Sequence, residues 1–230
     1  MKLEMKKKVS MEDLKYLLEV EQKAWNVPGE HISASEEKII KRIQGVGDGQ
    51  SVVLVTIDEK AAGSQFAFRF NWDKNIKNLG SWDNHTHCGW TNKVHVADGD
   101  TGFLVGVGVV PEFRGIKLIH GQRWKMKMKI SELLIAQTLD NLFFGDQESG
   151  KVKQVIANAR IPWYHKNPGL TVEEYCHLKR KDGKPYDPVL RFHLRMGAVI
   201  IKPIKFAMED PESNNGGCWV LYQKPFEQYS

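Results

Sequence analysis

The run Val109-Val110-Pro111-Glu112-Phe113-Arg114-Gly115 carries apolar chain into a tight turn with a positive charge at its end. A buried strand that feeds such a turn and then a helix makes an anion site. The first amides of a helix have no intrahelical acceptor, and the helix dipole favours negative charge there. Pro111 stops the strand because it cannot donate to a ladder. Gly115 lets the backbone approach a ligand closely, and Arg114 and Lys117 add charge. The expected anion cradle is therefore the backbone of Arg114, Gly115, Ile116, Lys117, Leu118 and Ile119. Two rival phosphate motifs fail. In Gly106-Val-Gly108-Val-Val-Pro111 a proline stands where a dinucleotide fingerprint needs its third glycine, and no GxxxxGK[ST] occurs.

Proton-handling residues lie further on. His193 sits in Phe192-His193-Leu-Arg-Met-Gly197-Ala198, where a neutral imidazole can accept a proton from an attacking amine or thiol and an imidazolium can protonate a leaving thiolate. The bland alternative is a packed histidine with its N–H satisfied. Tyr164 and His165 follow a strand end in a loop, a usual place for functional groups; aromatic packing explains them equally well. Asn158, at the end of the same strand, can hydrogen-bond a ligand amide or cap the turn. His85, His87, Cys88 and His95 are zinc-compatible donors, but their spacing fits no standard finger, and the expectation is that no metal binds. Cys176 and His177 are neighbours on a helix and point about 100° apart, so they form no dyad by themselves.

The elements that position these residues can be read from periodicity. Ser10 caps a helix over Met11–Trp25, carried by Leu14, Leu17 and Leu18. A second helix fits Ser35–Gln44 and ends at glycines. Ser51–Ile57 and Ala61–Phe70 form a hairpin. Residues 71–100 are polar and too long for a connection, so they are an insertion, best read as a lid over an acceptor site. Thr101–Val110 is a strand. The helix that opens near Arg114–Ile119 then runs to about Phe144. Its stretch from Trp124 to Ile130 alternates with period two, but length favours helix. Lys153–Ala159 is a strand, Thr171–Leu178 and Pro188–Met196 are short helices, and Ala198–Phe206 and Cys218–Gln223 are closing strands. The order is mixed α/β, not a βαβα alternation.

Composition agrees with one globular unit. Of 230 residues 41% are hydrophobic and 27% charged, enough to bury a core without disulfide or metal. A net charge of +5 favours anionic partners. The basic clusters Lys6–Lys8, Lys125/Lys127/Lys129 and Lys179–Lys181 read as solvated faces and not as a nucleic-acid groove. Three dispersed cysteines, no CxxC and no apolar leader point to a cytoplasmic protein with free thiols. The longest apolar run, Phe103–Pro111, is too short to span a bilayer.

At Val109-x-Pro111-x-Phe113-Arg114-Gly115 the sequence resembles the GNAT acyltransferase superfamily, whose signature reads V-x-P-x-[YF]-R-G at the same strand-to-helix junction. The resemblance covers nearly the whole chain, Ser10 to Tyr222. The blocks ADGDTGFLVGVGVVPEFRG, ANARIPWYH and DPVLRFHLRMGAVI are similar to GNAT domains fused to nitrilase-like hydrolases and to GNAT-like domains of polyketide-synthase loading modules. It implies a mixed, mostly antiparallel central sheet with helices on both faces, in a single domain over 1–230. It implies acetyl-CoA or coenzyme A as co-substrate, with pantetheine on exposed backbone at Val109 and Val110, Asn158 beside it, and the diphosphate on the 114–119 loop. Backbone N–H of Val109 and Val110 would polarise the thioester carbonyl. His193 falls where the superfamily carries a tyrosine general acid and the polyketide relatives a histidine; Tyr164 is the second candidate acid.

Two departures stand out. The family loop R-x-x-G-x-[GA] has Lys117 and Ile119 at its glycine positions, and Ala159 replaces a threonine of the decarboxylating relatives. The expected activity is acetyl transfer to a small amine by direct attack on the thioester. Malonyl-CoA decarboxylation or S-acyl transfer, and non-catalytic acyl-CoA binding, are the alternatives. The expected partners are a small-molecule acceptor and a second copy of the chain in a homodimer, with neither nucleic acid nor membrane.

Overall fold

Alternation of apolar residues builds a sheet whose order is set out by the computed structural model, which describes residues 2–25, 33–119, 127–145 and 152–223, Leu118 and Ile119 by backbone only. The strands are β1 (Leu3–Lys6), β2 (Ser51–Ile57), β3 (Lys60–Phe70), β4 (Thr101–Val109), β5 (Lys117–Ile119), β6 (Lys127–Lys129), β7 (Gln154–Arg160), β8 (Val199–Ile204) and β9 (Gly217–Gln223). Seven of them form one sheet in the order β1-β2-β3-β4-β7-β9-β8; β5 and β6 pair separately. Every pairing is antiparallel except β4 with β7.

The helices are α1 (Leu14–Ala24), α2 (Glu36–Gln44), α3 (Trp82–Thr86), α4 (Ile130–Phe144), α5 (Val172–His177) and α6 (Pro188–Arg195). On one face α1 and α2 pack Leu17, Val20, Ile39 and Ile43 against Leu54, Phe66, Phe68 and Phe103. On the other, α4 packs Leu133, Leu134 and Leu139 against Val53, Val55, Ala67 and Val155. Among the described residues no helix is long and apolar enough to cross a membrane.

The mixed, mostly antiparallel sheet with helices on both faces is as the sequence predicts, and most bounds agree within a residue or two. Two expectations are corrected. The helix does not open near Arg114–Ile119. A 3-10 turn at Pro111–Phe113 leads into β5, which pairs Lys117 with Lys129, and the helix begins only at Ile130. The period-two stretch over Lys127–Lys129 is a strand in fact: Met128 is buried between two exposed lysines. Residues 120–126, also expected to be helical, lie outside the described residues. β1 was not expected, because its alternating Leu3 and Met5 are diluted by lysines; it pairs along β2 as an edge strand.

The insertion at 71–100 folds as turns around α3. His85 stacks edge-on against Trp219 at 4.9 Å and accepts from the Gly80 amide. His95 accepts the Arg69 amide on Nδ1 and has its Nε2 2.7 Å from the Asp48 carbonyl. Each of these rings is thus engaged by backbone groups. Among the described residues no three His, Cys, Asp or Glu side chains converge.

Candidate acyl-transfer cleft

β4 and β7 are in register over only four pairs, from Thr101↔Gln154 to Leu104↔Ala157. Beyond them β4 stays with β3 and β7 stays with β9, so the sheet parts. The parting begins at a bulge: Ala67 faces Leu104 and Phe66 faces Gly106, which leaves Val105 as the extra residue. Its carbonyl accepts from Trp82 Nε1 at 3.0 Å. Removing that bond in Trp82→Phe strands a carbonyl in the cleft, and should destabilise the fold by about 1–2 kcal/mol, read as a lower Tm.

The opened strand exposes some amides and not others. Val110 N–H donates to Ala62 O at 3.0 Å, so it faces β3. Antiparallel alternation then turns Val107 and Val109 to the open side. The pair of amides expected to polarise a thioester is thereby corrected: Val109 remains available and Val110 does not. The anion cradle is corrected similarly. The amides of Arg114 and Ile116 donate to the carbonyls of Pro111 and Phe113, and Lys117, Leu118 and Ile119 run in the β5–β6 hairpin. Arg114 is a brace: Nε donates to Val109 O at 3.0 Å and Nη2 to Ala24 O at 3.1 Å, tying the end of α1 to the end of β4.

Beside this turn lies a cavity of about 370 Å³ lined by Val109, Gly115, Lys129, Ile130 and Ser131. Gly115 has φ of +84° and nothing within 4 Å of where a Cβ would lie, so it shapes the turn by conformation and not by crowding. Lys129 caps α4, its amide donating to Glu132 at 2.8 Å. Thus Lys129, the cross-strand partner of Lys117, is the lysine beside the helix start.

A second cavity of about 760 Å³ runs through the parted sheet. It shares Trp25, Val107, Gly108, Ser131 and Arg160 with the first, so the two are continuous. On the α4 side it is lined by Ile135, Asn158, Phe192 and His193; on the α1–α2 side by Glu21, Arg42, Trp82 and Asp83. Asn158 is 8% exposed, and neither its Oδ1 nor its Nδ2 has a hydrogen-bond partner among the described residues. An orphaned buried amide costs stability unless something pairs with it.

α6 places His193. Asp187 caps it, accepting from Val189 and Leu190 amides, with Pro188 in the first turn. Leu190 and His193 are three apart and face inward together. Gly197, at φ of +88°, closes the helix, and Ala198 N–H returns to His193 O. This explains the Gly–Ala after the histidine. His193 Nδ1 lies 2.7 Å from the Tyr222 hydroxyl; Nε2 has no partner among the described residues. Burial pushes the imidazole down to about 4, so the ring is neutral at pH 7. A ring held neutral by burial does not serve as a resting imidazolium acid. Burial also pushes the Tyr222 phenol above its usual range.

Tyr164 is not brought to the cleft. Its hydroxyl donates to Leu170 O at 2.9 Å and its ring packs 5.1 Å from Tyr175. His165 is held by the carbonyls of Pro162 and Glu212. Sequence reasoning passed over Glu21, Arg42, Trp82, Lys129, Arg160 and Tyr222. A signal existed for two of them: Glu21 and Arg42 interrupt the buried stripes Leu17–Val20 of α1 and Ile39–Ile43 of α2.

No family model matches the chain. It is 26% identical over 216 residues to the uncharacterised N-acetyltransferase YkwB of Bacillus subtilis (strain 168), covering 93% of this chain and 86% of that protein. It superimposes on the loading GNATL domain of CurA from Lyngbya majuscula with a TM-score of 0.74 at 22% identity, over 97% of this chain and 98% of that one. With the GphF GNAT-like decarboxylase, solved in complex with isobutyryl-CoA, the TM-score is 0.69 at 22% identity, over 97% and 99%. In both solved structures the likeness runs nearly the length of the chain, and by that architecture the protein has the GNAT fold.

Proposed function

We propose that the protein is an acyl-CoA-dependent acyltransferase that moves an acetyl group to a small amine. The observation that carries this reading is the parted sheet with Asn158 inside it, a buried amide with both polar atoms free. A pantetheine arm is the kind of ligand that answers those atoms: extended, with amides of its own, and thin enough to lie beside Val107 and Val109. Acyl-CoA relatives of the same fold support it, one holding isobutyryl-CoA. The diphosphate then falls at Gly115, Lys129 and the first amides of α4.

The acceptor enters from the α1–α2 side and its nitrogen attacks the thioester carbon. The C–N bond forms, the C–S bond breaks, and the proton lost by nitrogen goes to the thiolate. Val109 N–H polarises the carbonyl. A phenol that donates to Nδ1 leaves the imidazole proton on Nε2, so Tyr222 sets His193 as a neutral N–H donor toward the developing negative charge.

A second reading, decarboxylation of malonyl-CoA, is favoured by the likeness to the GphF decarboxylase. Mass spectrometry after incubation with acetyl-CoA or malonyl-CoA separates the two. Free CoA that appears only with an amine present is transfer; acetyl-CoA formed from malonyl-CoA is decarboxylation. Binding is tested apart from turnover: Lys129→Glu should weaken CoA by about 10-fold in calorimetry. An unchanged Kd would move the diphosphate elsewhere.

A further inference from the structure

Glu21 on α1 and Arg42 on α2 are 6% and 5% exposed, and both line the larger cavity at its acceptor end. The Arg42 guanidinium lies 4.8 Å over the Phe66 ring, and Nη2 donates to Gly89 O at 3.1 Å. Its Nε is buried and has no partner among the described residues. Glu21 accepts from the Ala34 amide through Oε1 at 2.6 Å, and its other oxygen is unpaired among the described residues. Buried charges of opposite sign normally close into an ion pair, because each alone is costly. These two do not touch. No ion pair or hydrogen bond joins them among the described residues, although each lies in the other's field. Burial raises the Glu21 carboxyl and lowers the Arg42 guanidinium, and the field of each on the other only partly offsets this. Lys38 and Asp83 also line this end, with Glu209 beside Asp83, so the rim is mixed in charge and the deep pair decides what is held.

We propose that Glu21 and Arg42 form a seat for a zwitterion, and that the acyl acceptor is an amino-carboxylate of the α-amino-acid class, its carboxylate on Arg42 and its ammonium on the free oxygen of Glu21, which takes one ammonium proton to release the lone pair that attacks, the second proton going to the thiolate. This rests on the acyl-transfer reading of the cleft. A plain amine would satisfy Glu21 and leave Arg42 alone; a carboxylate on the acyl chain would satisfy Arg42 and be repelled by Glu21. A zwitterion completes both.

The test supplies acetyl-CoA with the common amino acids, with matched amines lacking the carboxylate, and with matched acids lacking the amine as inhibitors. Amino acids are expected to be preferred over matched amines, and Arg42→Met to reduce that preference by about 10- to 100-fold. Glu21→Gln should raise the amino acid's KM on the same scale. CoA affinity in each variant reports that it has folded; should either fail, the substrate panel on the unaltered protein decides. Amines transferred as well as their matched amino acids would overturn the proposal while leaving acyl transfer standing. So would malonyl-CoA binding tighter than acetyl-CoA in an Arg42-dependent way, which puts the carboxylate on the acyl chain. If CoA binds but no acceptor is acylated, the acyl-transfer reading falls, and direct titration of amino acids into the CoA-loaded protein decides this one: Arg42-dependent binding upholds it and no binding overturns it.

Discussion

Replacing His193 with alanine is expected to lower kcat by about 10²–10³-fold while the Kd for CoA stays nearly constant, because the proposed diphosphate site, beside Lys129 and Ser131, is not at α6. His193→Gln keeps an N–H donor and should retain more of the rate than alanine does. The pH profile separates this role from a titrating acid. With the imidazole at about 4, kcat should show no inflection between pH 5.5 and 8.5 that disappears in His193→Gln. Stability gives a second readout, with a definite sign. The folded imidazole sits below an unfolded value of about 6.5, so protonation favours the unfolded chain. Its contribution is whole above pH 6.5 and is lost as pH falls towards 4, by up to about 3 kcal/mol. Glutamine removes that acid-side loss. Glutamine with unaltered kcat, and a melting curve that has simply lost its pH dependence, would reduce His193 to a packing residue.

Arg160→Met should destabilise the protein by about 3 kcal/mol, visible as a fall in the urea midpoint at unchanged slope. Arg160 ends β7 and grips Asp210 with Nε at 2.7 Å and Nη2 at 2.6 Å; Nη2 also reaches Glu212 at 3.1 Å. Asp210 is nearly inaccessible and also accepts from Ser213. Burial pushes its carboxyl up, and the hydrogen bonds from Arg160 and Ser213 outweigh that and hold it below its usual value. Methionine keeps the bulk and leaves the carboxylate buried and alone. The folded pKa is depressed, so the stabilisation is present above about pH 4 and is lost as pH falls through the folded value. The variant's deficit should accordingly be largest near neutrality and shrink in acid. A deficit as large at pH 3 as at pH 7 would mean that packing, and not charge, sets the cost. Arg160 also lines both cavities, so a parallel loss of CoA affinity is expected.

The fold was legible wherever one period ran long enough. Ser51–Ile57 was bounded to the residue, because six consecutive apolar or β-branched positions, Val52 to Ile57, sit between turn formers. β6 was misread because it is three residues long and abuts a real helix, so length spoke for the wrong neighbour. That error displaced the anion cradle: the loop motif was found, but the hairpin between it and α4 was not, and hairpin register is a tertiary fact. His193 was legible by its place in a motif; its neutral state was not, since that depends on burial, nor was its tautomer, which depends on Tyr222 on β9. Tyr164 looked equally able on paper, and only the direction of its side chain removes it. Glu21 and Arg42 read as ordinary helix charges until α1 and α2 are laid side by side.

The four-pair ladder between β4 and β7 has a mechanical meaning. Four strands lie on one side of it and three on the other, and few backbone bonds cross. A molecule lodged between them is therefore a rivet as well as a reactant. On the proposed acyl-transfer reading, each turnover would remove the rivet and replace it. Ligand concentration becomes a structural variable, contributing stability as RT ln(1 + [L]/Kd) across the same seam where the chemistry occurs.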